Sequence, residues 1–477
     1  MKVQIKNNPA LHQIGLIVLV VALIVFFCYL ANFSMIIPLL MLFLGIYLFY
    51  LKKASPRLLL NCGLLLVALI FTAYAVTEFA DLSELNIPIA AVAMLVIILF
   101  NDLQLAVLMA FASSVLVALT VGGNLNFMLI FFTGSLMGAY ACKDARTRGE
   151  LIKSGFYVGL IQVVCIILMN PSLDIIRNNN FLKLSAWPLF VNGLVAAFAV
   201  IATLKIFEWL FGVVTNFSLL ELSDFNQPLL KRMVLECPGT YHHSLIVSNI
   251  SESAADAIGA NTLLARVGAY YHDIGKLEKP EYFTENQMLE GSKHDNLEPN
   301  ISRLVILNHV KEGIEIGRKN KINEQILDFI RQHHGTGLIY YFYQRAVESA
   351  PENEKVDEAN FRYPGPKPQS RETAIVMLAD SVEGAVRALP EPTATRIEEA
   401  VSKIINNKFI DGQLDESNLT LTDIDRIRAV FTRSLGAIYH SRIQYPDKKN
   451  GSSLFRKSPD KNPPKSQPDS KDLKKDS

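Results

Sequence analysis

From residue 13 to 214 the chain is a near-continuous series of apolar stretches with short polar interruptions. A bilayer-spanning helix needs about 20 mostly apolar residues. That measure picks out eight candidates: 13–31, 35–51, 57–78, 87–100, 103–121, 125–142, 154–170 and 187–214. The first is read as a retained anchor rather than a signal peptide, because no A-x-A-like site follows it and another apolar stretch begins at once. From 216 to 445 the pattern changes to apolar residues recurring at helical spacing among polar ones, and beyond 446 lysines, serines and prolines dominate, a composition expected to stay disordered.

Within the second region Ile246, Ile250, Ala254, Ala257 and Ile258 form a stripe of helical period that ends at Gly259. Asn261 is placed to cap a following helix carrying Leu263, Leu264, Val267 and Tyr271, which runs into His272-Asp273-Ile274-Gly275, where the glycine is expected to stop it. Strand alternation is absent. The expected fold is all-α, a multi-span transmembrane helical bundle followed by an all-helical soluble domain.

With 477 residues, half of them apolar, the chain is too long for one ordinary domain and too apolar for a wholly soluble protein. The net charge of +1 averages unlike parts and carries no message about nucleic acid. Cys28, Cys62, Cys142, Cys165 and Cys237 show no paired spacing and read as small apolar fillers. Lys52, Lys53 and Arg57 fall between the second and third stretches, and Lys143, Arg146, Arg148 and Lys153 between the sixth and seventh, so the positive-inside rule puts both loops and the second region in the cytoplasm. Deep charges are scarce: only Lys205 and Glu208 occur in the last stretch, where a local ion pair explains them. An ion pump would need ionisable groups along a path.

Candidate chemistry is concentrated in the soluble region, which holds seven of the nine histidines between His242 and His334. His243, His272-Asp273, His309, His333-His334 and Asp380 fall on five helical segments. Each alone has an ordinary structural reading: a core histidine bonded to a carbonyl, or Asp380 paired with Arg387 or Arg371. Together, imidazoles and carboxylates are the ligand set of borderline divalent cations, and so many suggest two ions and phosphoryl chemistry. Adjacent helical residues point about 100° apart, so His272 and Asp273 can address one cluster only where the helix ends or turns. His294 has polar neighbours and reads as solvated or supporting, and His242 as supporting. His12 and His440 fall outside the cluster.

The ordered set Tyr241-His242-His243-Ser244, His272-Asp273-Ile274-Gly275-Lys276, His309-Val310-Lys311, His333-His334-Gly335-Thr336 and Leu378-Ala379-Asp380-Ser381 resembles the HD-domain metal-dependent phosphohydrolases. More narrowly it resembles the membrane-bound 7TM-HD phosphodiesterases that hydrolyse cyclic di-AMP. The resemblance implies the following organisation: an anchor over 1–34, a seven-span bundle over 35–215, a linker over 216–231, a cytoplasmic HD domain over 232–445 and a charged tail over 446–477. It implies two divalent ions, manganese or iron, one held by His243, His272, Asp273 and Asp380 and the other by Asp273, His309, His333 and His334. Asp273 would bridge and Lys276 would meet a phosphate oxygen. Family members carry a large extracytoplasmic domain between anchor and bundle, whereas here only Ala31 to Ser34 separate the first two stretches. A related subgroup that hydrolyses cyclic di-GMP bears Gly-Tyr-Pro after the paired histidines. This chain reads Gly335-Thr336-Gly337-Leu338-Ile339-Tyr340-Tyr341-Phe342-Tyr343 there, which favours the adenine substrate and linear pApA as product.

The partners this implies are cyclic di-AMP and the lipid bilayer, with no nucleic-acid polymer, and a homodimer left open. Residues 350–370, with Tyr363-Pro364-Gly365-Pro366, form an irregular stretch whose aromatics, with Tyr340 to Tyr343, either stack on adenines or pack into the core. The rival functions are an HD hydrolase of another nucleotide such as cyclic di-GMP or (p)ppGpp, a non-catalytic nucleotide receptor, and a transporter with a regulatory domain. The segment 215–231 is either an amphipathic coupling element or a passive linker.

Overall fold

The computed structural model describes residues 45, 55–122, 125–169, 179–287, 293–351 and 355–439. The anchor, nearly all of the second apolar stretch, the Ala31 to Ser34 spacer, Lys52, Lys53, Cys28, His12, His440 and the charged tail lie outside those residues. The described part is helical, and its only β pairing is the isolated bridge between Leu338 and Arg362.

The membrane half comprises α1 (Pro56–Tyr74), continued by a π-helical turn at Ala75–Phe79, then α2 (Ala90–Phe100), α3 (Leu103–Thr120), α4 (Leu125–Cys142), α5 (Arg148–Leu168) and α6 (Trp187–Phe211). Among the described residues five helical stretches are long and apolar enough to cross a membrane, and Glu84–Phe100 is a shorter apolar one. That short helix is apolar on every side, as a fully enclosed helix should be. Its residues Ala90 to Ile97 are buried, packed against α3, α4 and α6, while Phe71, Phe111, Phe198 and Trp209 on the surrounding spans face outward.

One boundary departs from the hydrophobic reading. α5 begins at Arg148, not 154, because Thr147 and Glu150 form a capping box and the Glu150 side chain takes the Arg146 and Thr147 amides. The basic loop is therefore only residues 143–147, and Arg148 and Lys153 ride on the helix. Lys205 and Glu208 do pair, at 3.5 Å, with Lys205 exposed and Glu208 buried and also receiving the Thr215 and Ser218 hydroxyls.

Past Gly212 the chain enters α7 (Asn216–Leu222) and α8 (Pro228–Glu236), then α9 (Pro238–Ala257), α10 (Thr262–Tyr271), α11 (Pro299–Lys319), α12 (Glu324–Gln332), α13 (Tyr340–Ser349), α14 (Arg371–Arg387), α15 (Ala394–Ile410) and α16 (Leu421–Tyr439). Asn261 caps α10 through the Leu264 amide at 3.0 Å, and Ser370 with Thr373 caps α14. α10 serves two cores. Its Ala265 and Ala269 pack with Val247, Ile250, Ile375, Leu378 and Phe431, while Leu263, Val267 and Tyr271 pack with Leu219, Leu229, Leu230, Ile326 and Ile330. The second core reaches into α7, and the Tyr271 hydroxyl donates to the Leu222 carbonyl at 2.8 Å.

Candidate metal centre

Two helix ends and three positions within helices converge on one buried cluster. α10 ends at Tyr271, and the chain tightens into a 3₁₀ turn over Ile274–Glu278, so His272 and Asp273 leave the helix as adjacent residues that face the same point. Gly275, expected to stop the helix, has another duty. A Cβ there would lie 1.8 Å from the His309 carbonyl oxygen and 2.6 Å from the Gly313 amide, so the missing side chain lets the HD turn press against the α11 backbone. α12 ends at Gln332, where His333 and His334 follow and Gly335 turns away at φ +52. His243 looks inward from the second turn of α9 while His242 is exposed. Asp380 faces the cluster from mid-α14.

The histidines are oriented by what their Nδ1 atoms bond. His272 Nδ1 lies 2.7 Å from the Ala269 carbonyl, His309 Nδ1 2.5 Å from that of Ile306 and His333 Nδ1 2.9 Å from that of Ile330. Each Nδ1–H donates to a carbonyl three residues back in its own helix, leaving Nε2 as a bare lone pair turned inward. His243 Nδ1 donates instead to Glu383, at 2.5 Å. The buried carboxylate of Glu383 is itself held by the Tyr439 hydroxyl at 2.8 Å and the Arg387 guanidinium at 3.2 Å.

These lone pairs gather into two groups whose donor atoms all lie within 4.8 Å of one another: His243, His272 and Asp273, and His309, His333 and His334. Asp273 spans them. Its Oδ2 is 3.2 Å from His272 Nε2 and 3.9 Å from His243 Nε2, while its Oδ1 is 3.5 Å from His309 Nε2 and 3.6 Å from His333 Nε2. Asp380 lies alongside, Oδ1 3.0 Å from His243 Nε2 and Oδ2 3.9 Å from His334 Nδ1. His272 Nε2 and Asp273 Oδ1 are buried with no hydrogen-bond partner, although such atoms are costly to leave unpaired. Imidazole nitrogens and carboxylate oxygens without partners, aimed at shared points, fit divalent cations.

The charge states suit that use. Burial opposes ionisation of Asp273, but the Lys276 ammonium 2.7 Å away and His272 hold its carboxyl well below the usual range. Asp380 is likewise lowered, chiefly by His243 against the cost of burial. Burial pushes His309 down to about 4 and lowers His334, so both are neutral at pH 7. His243 goes the other way: burial is overcome by Asp380 and Glu383 on either side, which push it up to about 9.

The other residues singled out from sequence fall as follows. Lys276 is 13% exposed, bridging Asp273 and Glu285 at 2.7 Å each, with its Nζ 5.0 Å from the centre of the Phe283 ring. His294 is buried rather than solvated, its Nε2 2.8 Å from the Tyr282 carbonyl and its ring against Tyr282 and Phe342. Tyr340 and Tyr341 are exposed, Tyr343 packs edge-on against Phe361, and Tyr363 stacks on His334 with ring centres 4.2 Å apart. Arg371 and Arg387 do not pair with Asp380. They pair with Asp423 and Glu383. Sequence reasoning missed Glu383 and Glu285. Glu383 follows Asp380 by three positions and so shares its helix face, a usable signal, whereas Glu285 sits in an irregular loop that offers none.

The family described as a 7TM receptor with intracellular HD hydrolase matches residues 28–215, and the HD domain family matches residues 240–385. Over 426 residues the chain is 38% identical to the cyclic-di-AMP phosphodiesterase PgpH of Bacillus subtilis (strain 168), covering 85% of this chain and 59% of that protein. Over 312 residues it is 45% identical to the cyclic-di-AMP phosphodiesterase PgpH of Listeria monocytogenes serotype 1/2a (strain 10403S), covering 65% of this chain and 42% of that one. The chain thus spans only about half the length of these curated relatives. The crystal structure of the L. monocytogenes PgpH HD domain in complex with cyclic di-AMP is 48% identical and covers 46% of this chain and 100% of that one, with a TM-score of 0.44.

Proposed function

We propose that the chain, matched over residues 28–215 by the 7TM receptor with intracellular HD hydrolase family and over 240–385 by the HD domain family, is a membrane-anchored, metal-dependent phosphodiesterase that opens cyclic di-AMP to linear pApA. The observation that carries the reading is Asp273 offering one oxygen to His243 and His272 and the other to His309 and His333. The substrate follows from the activity named for the B. subtilis and L. monocytogenes relatives and from Gly335-Thr336-Gly337 after the paired histidines.

His243, His272, Asp273 and Asp380 would hold one divalent ion and Asp273, His309, His333 and His334 the other, manganese or iron being the ions this ligand set suits. Such a pair supplies charge neutralisation on a phosphodiester and an activated water. The chain's own residues do the rest. Helix carbonyls of Ala269, Ile306 and Ile330 fix the rings of His272, His309 and His333, and Glu383 fixes that of His243. Lys276, backed by Glu285, keeps Asp273 ionised, and Tyr363 shields one side of His334. Hydrolysis adds one water across a single phosphorus–O3′ bond: the ribose 3′-oxygen leaves as a hydroxyl and the phosphate stays on the 5′ side. A cytoplasmic catalytic half is supported by Lys143 of the basic loop, which lines the same crevice as Asn261 and Gln325 of that half.

The test is the full chain in detergent with manganese, given cyclic di-AMP, cyclic di-GMP and (p)ppGpp in parallel. Preferential release of pApA is expected. Equal inertness toward all three overturns the enzyme reading, and faster cleavage of another substrate overturns the adenine assignment.

A further inference from the structure

A cyclic dinucleotide carries two phosphodiester anions, and on the reading above only one lies over the cluster at a time. The other, one ring-width away, needs a counter-charge of its own. Most cations around the site are already engaged. Lys276 bridges Asp273 and Glu285, Arg362 binds Asp411 and Glu358, Lys367 lies on Asp415, and Arg387 lies on Glu383.

Lys408 is different. It extends from α15 to the turn that follows His334: a Cβ built on Gly337 would sit 3.2 Å from its Nζ and 3.0 Å from the His334 carbonyl oxygen. Gly337 thereby leaves the room that the ammonium occupies. Asp380 and Asp411 are near enough to favour its charge, and Arg362 disfavours it, yet no carboxylate among the described residues comes within the 4.0 Å of an ion pair. Burial keeps its pKa below the ordinary lysine value. Lys408 is half-buried, and a partly desolvated ammonium without an anion carries a cost that a ligand phosphate would offset.

We propose that Lys408 receives the non-reacting phosphodiester of a cyclic dinucleotide while the other lies at the cluster. The inference rests on the reading of the site as a cyclic dinucleotide phosphodiesterase and adds to it the residue that distinguishes two linked phosphates from one. A flexible ammonium suits this task because it meets a phosphate oxygen as a point charge without demanding a fixed approach.

The experiment compares wild type, Lys408→Met, Lys408→Gln and Lys408→Arg, as full chains in detergent with manganese. The substrates are cyclic di-AMP and bis(p-nitrophenyl) phosphate, which has a single phosphodiester. Metal content and melting temperature are recorded for each variant, and Lys408→Gln replaces Lys408→Met if the latter does not fold. Loss of one charged contact predicts a KM for cyclic di-AMP raised about tenfold or more, with a smaller change in kcat and substantial recovery in Lys408→Arg. The fall in kcat/KM should be far smaller for bis(p-nitrophenyl) phosphate. An unchanged KM for cyclic di-AMP in an active protein overturns the role of Lys408 and leaves the enzyme reading standing. Equal losses on both substrates overturn the second-phosphate assignment. A wild type that cleaves bis(p-nitrophenyl) phosphate but not cyclic di-AMP overturns the substrate reading itself.

Discussion

Replacing Glu383 by glutamine tests whether the cluster is held from behind as well as built from its front residues. The buried carboxylate accepts from the buried His243 Nδ1 at 2.5 Å and from the half-buried Tyr439 hydroxyl at 2.8 Å, and lies 3.2 Å from the more exposed Arg387. Glutamine keeps the shape and one acceptor oxygen, but removes the negative charge that makes the imidazole a stronger donor. Losing such a partner behind a metal-bound histidine costs about 10–100-fold in metal affinity, which is about 1.4–2.7 kcal/mol. Alanine is the poorer choice, since it also removes the acceptor of the half-buried Tyr439 hydroxyl and the partner of Arg387, which mixes other losses with the one under test. The assay is a calorimetric titration of the metal-stripped full chain with manganese. One class of site should weaken by the stated factor, while the class built on His309, His333 and His334 binds as in wild type. Two sites of wild-type affinity in Glu383→Gln would refute the reasoning.

Asp273→Ala should reduce turnover to background while the far-UV circular dichroism stays that of a helical protein, since the residue lies just past the end of α10; retained hydrolysis would remove Asp273 from its shared role. Gly275→Ala should lower the melting temperature and weaken manganese binding, because the new methyl falls 1.8 Å from the His309 carbonyl oxygen and overpacking of this kind costs about 1–3 kcal/mol or more; wild-type stability and affinity would show that the two backbones can part freely. In the metal-free protein His243 is raised to about 9 from an ordinary 6.5, so its pairing stabilises the fold fully below pH 6.5 and that contribution is lost as pH rises through about 9. Since a metal takes the neutral ring, manganese uptake at pH 7 should release a proton, seen as a buffer-dependent heat, and the affinity should climb with pH up to about 9. A buffer-independent heat at pH 7 would contradict the charged state of His243.

The apolar stretches located the described spans because burial in lipid imposes one simple requirement, length with low polarity, that composition reveals directly. The exception was α5, where a capping box extends the helix through Arg148, Glu150 and Lys153, residues that hydrophobicity alone assigns to a loop. The gathering of His243, His272, Asp273, His309, His333, His334 and Asp380 was legible because the two doublets come just after helical stripes end, where adjacent residues can share a target. What could not be read were contacts made across the fold. Glu383 reaches His243 over 140 positions, Tyr439 reaches Glu383 over 56, and Lys408 lies against Gly337 by the packing of α15. The same limit applied to Gly275, which reads as a stop and acts as a contact surface, and to Tyr363, which reads as a loop aromatic and covers a histidine.

The bond from the Tyr271 hydroxyl to the Leu222 carbonyl bears on where the soluble half can be cut free. A fragment beginning after Leu222 strips the acceptor from a phenol that is 1% exposed, one residue before His272, and removes Leu219 from the core beneath it. Such a fragment is expected to lose about 1–3 kcal/mol at the orphaned hydroxyl alone, beside the very residues whose spacing an assay would depend on. Starting at Thr215 retains both, so activities measured on shorter pieces would understate what the intact chain achieves.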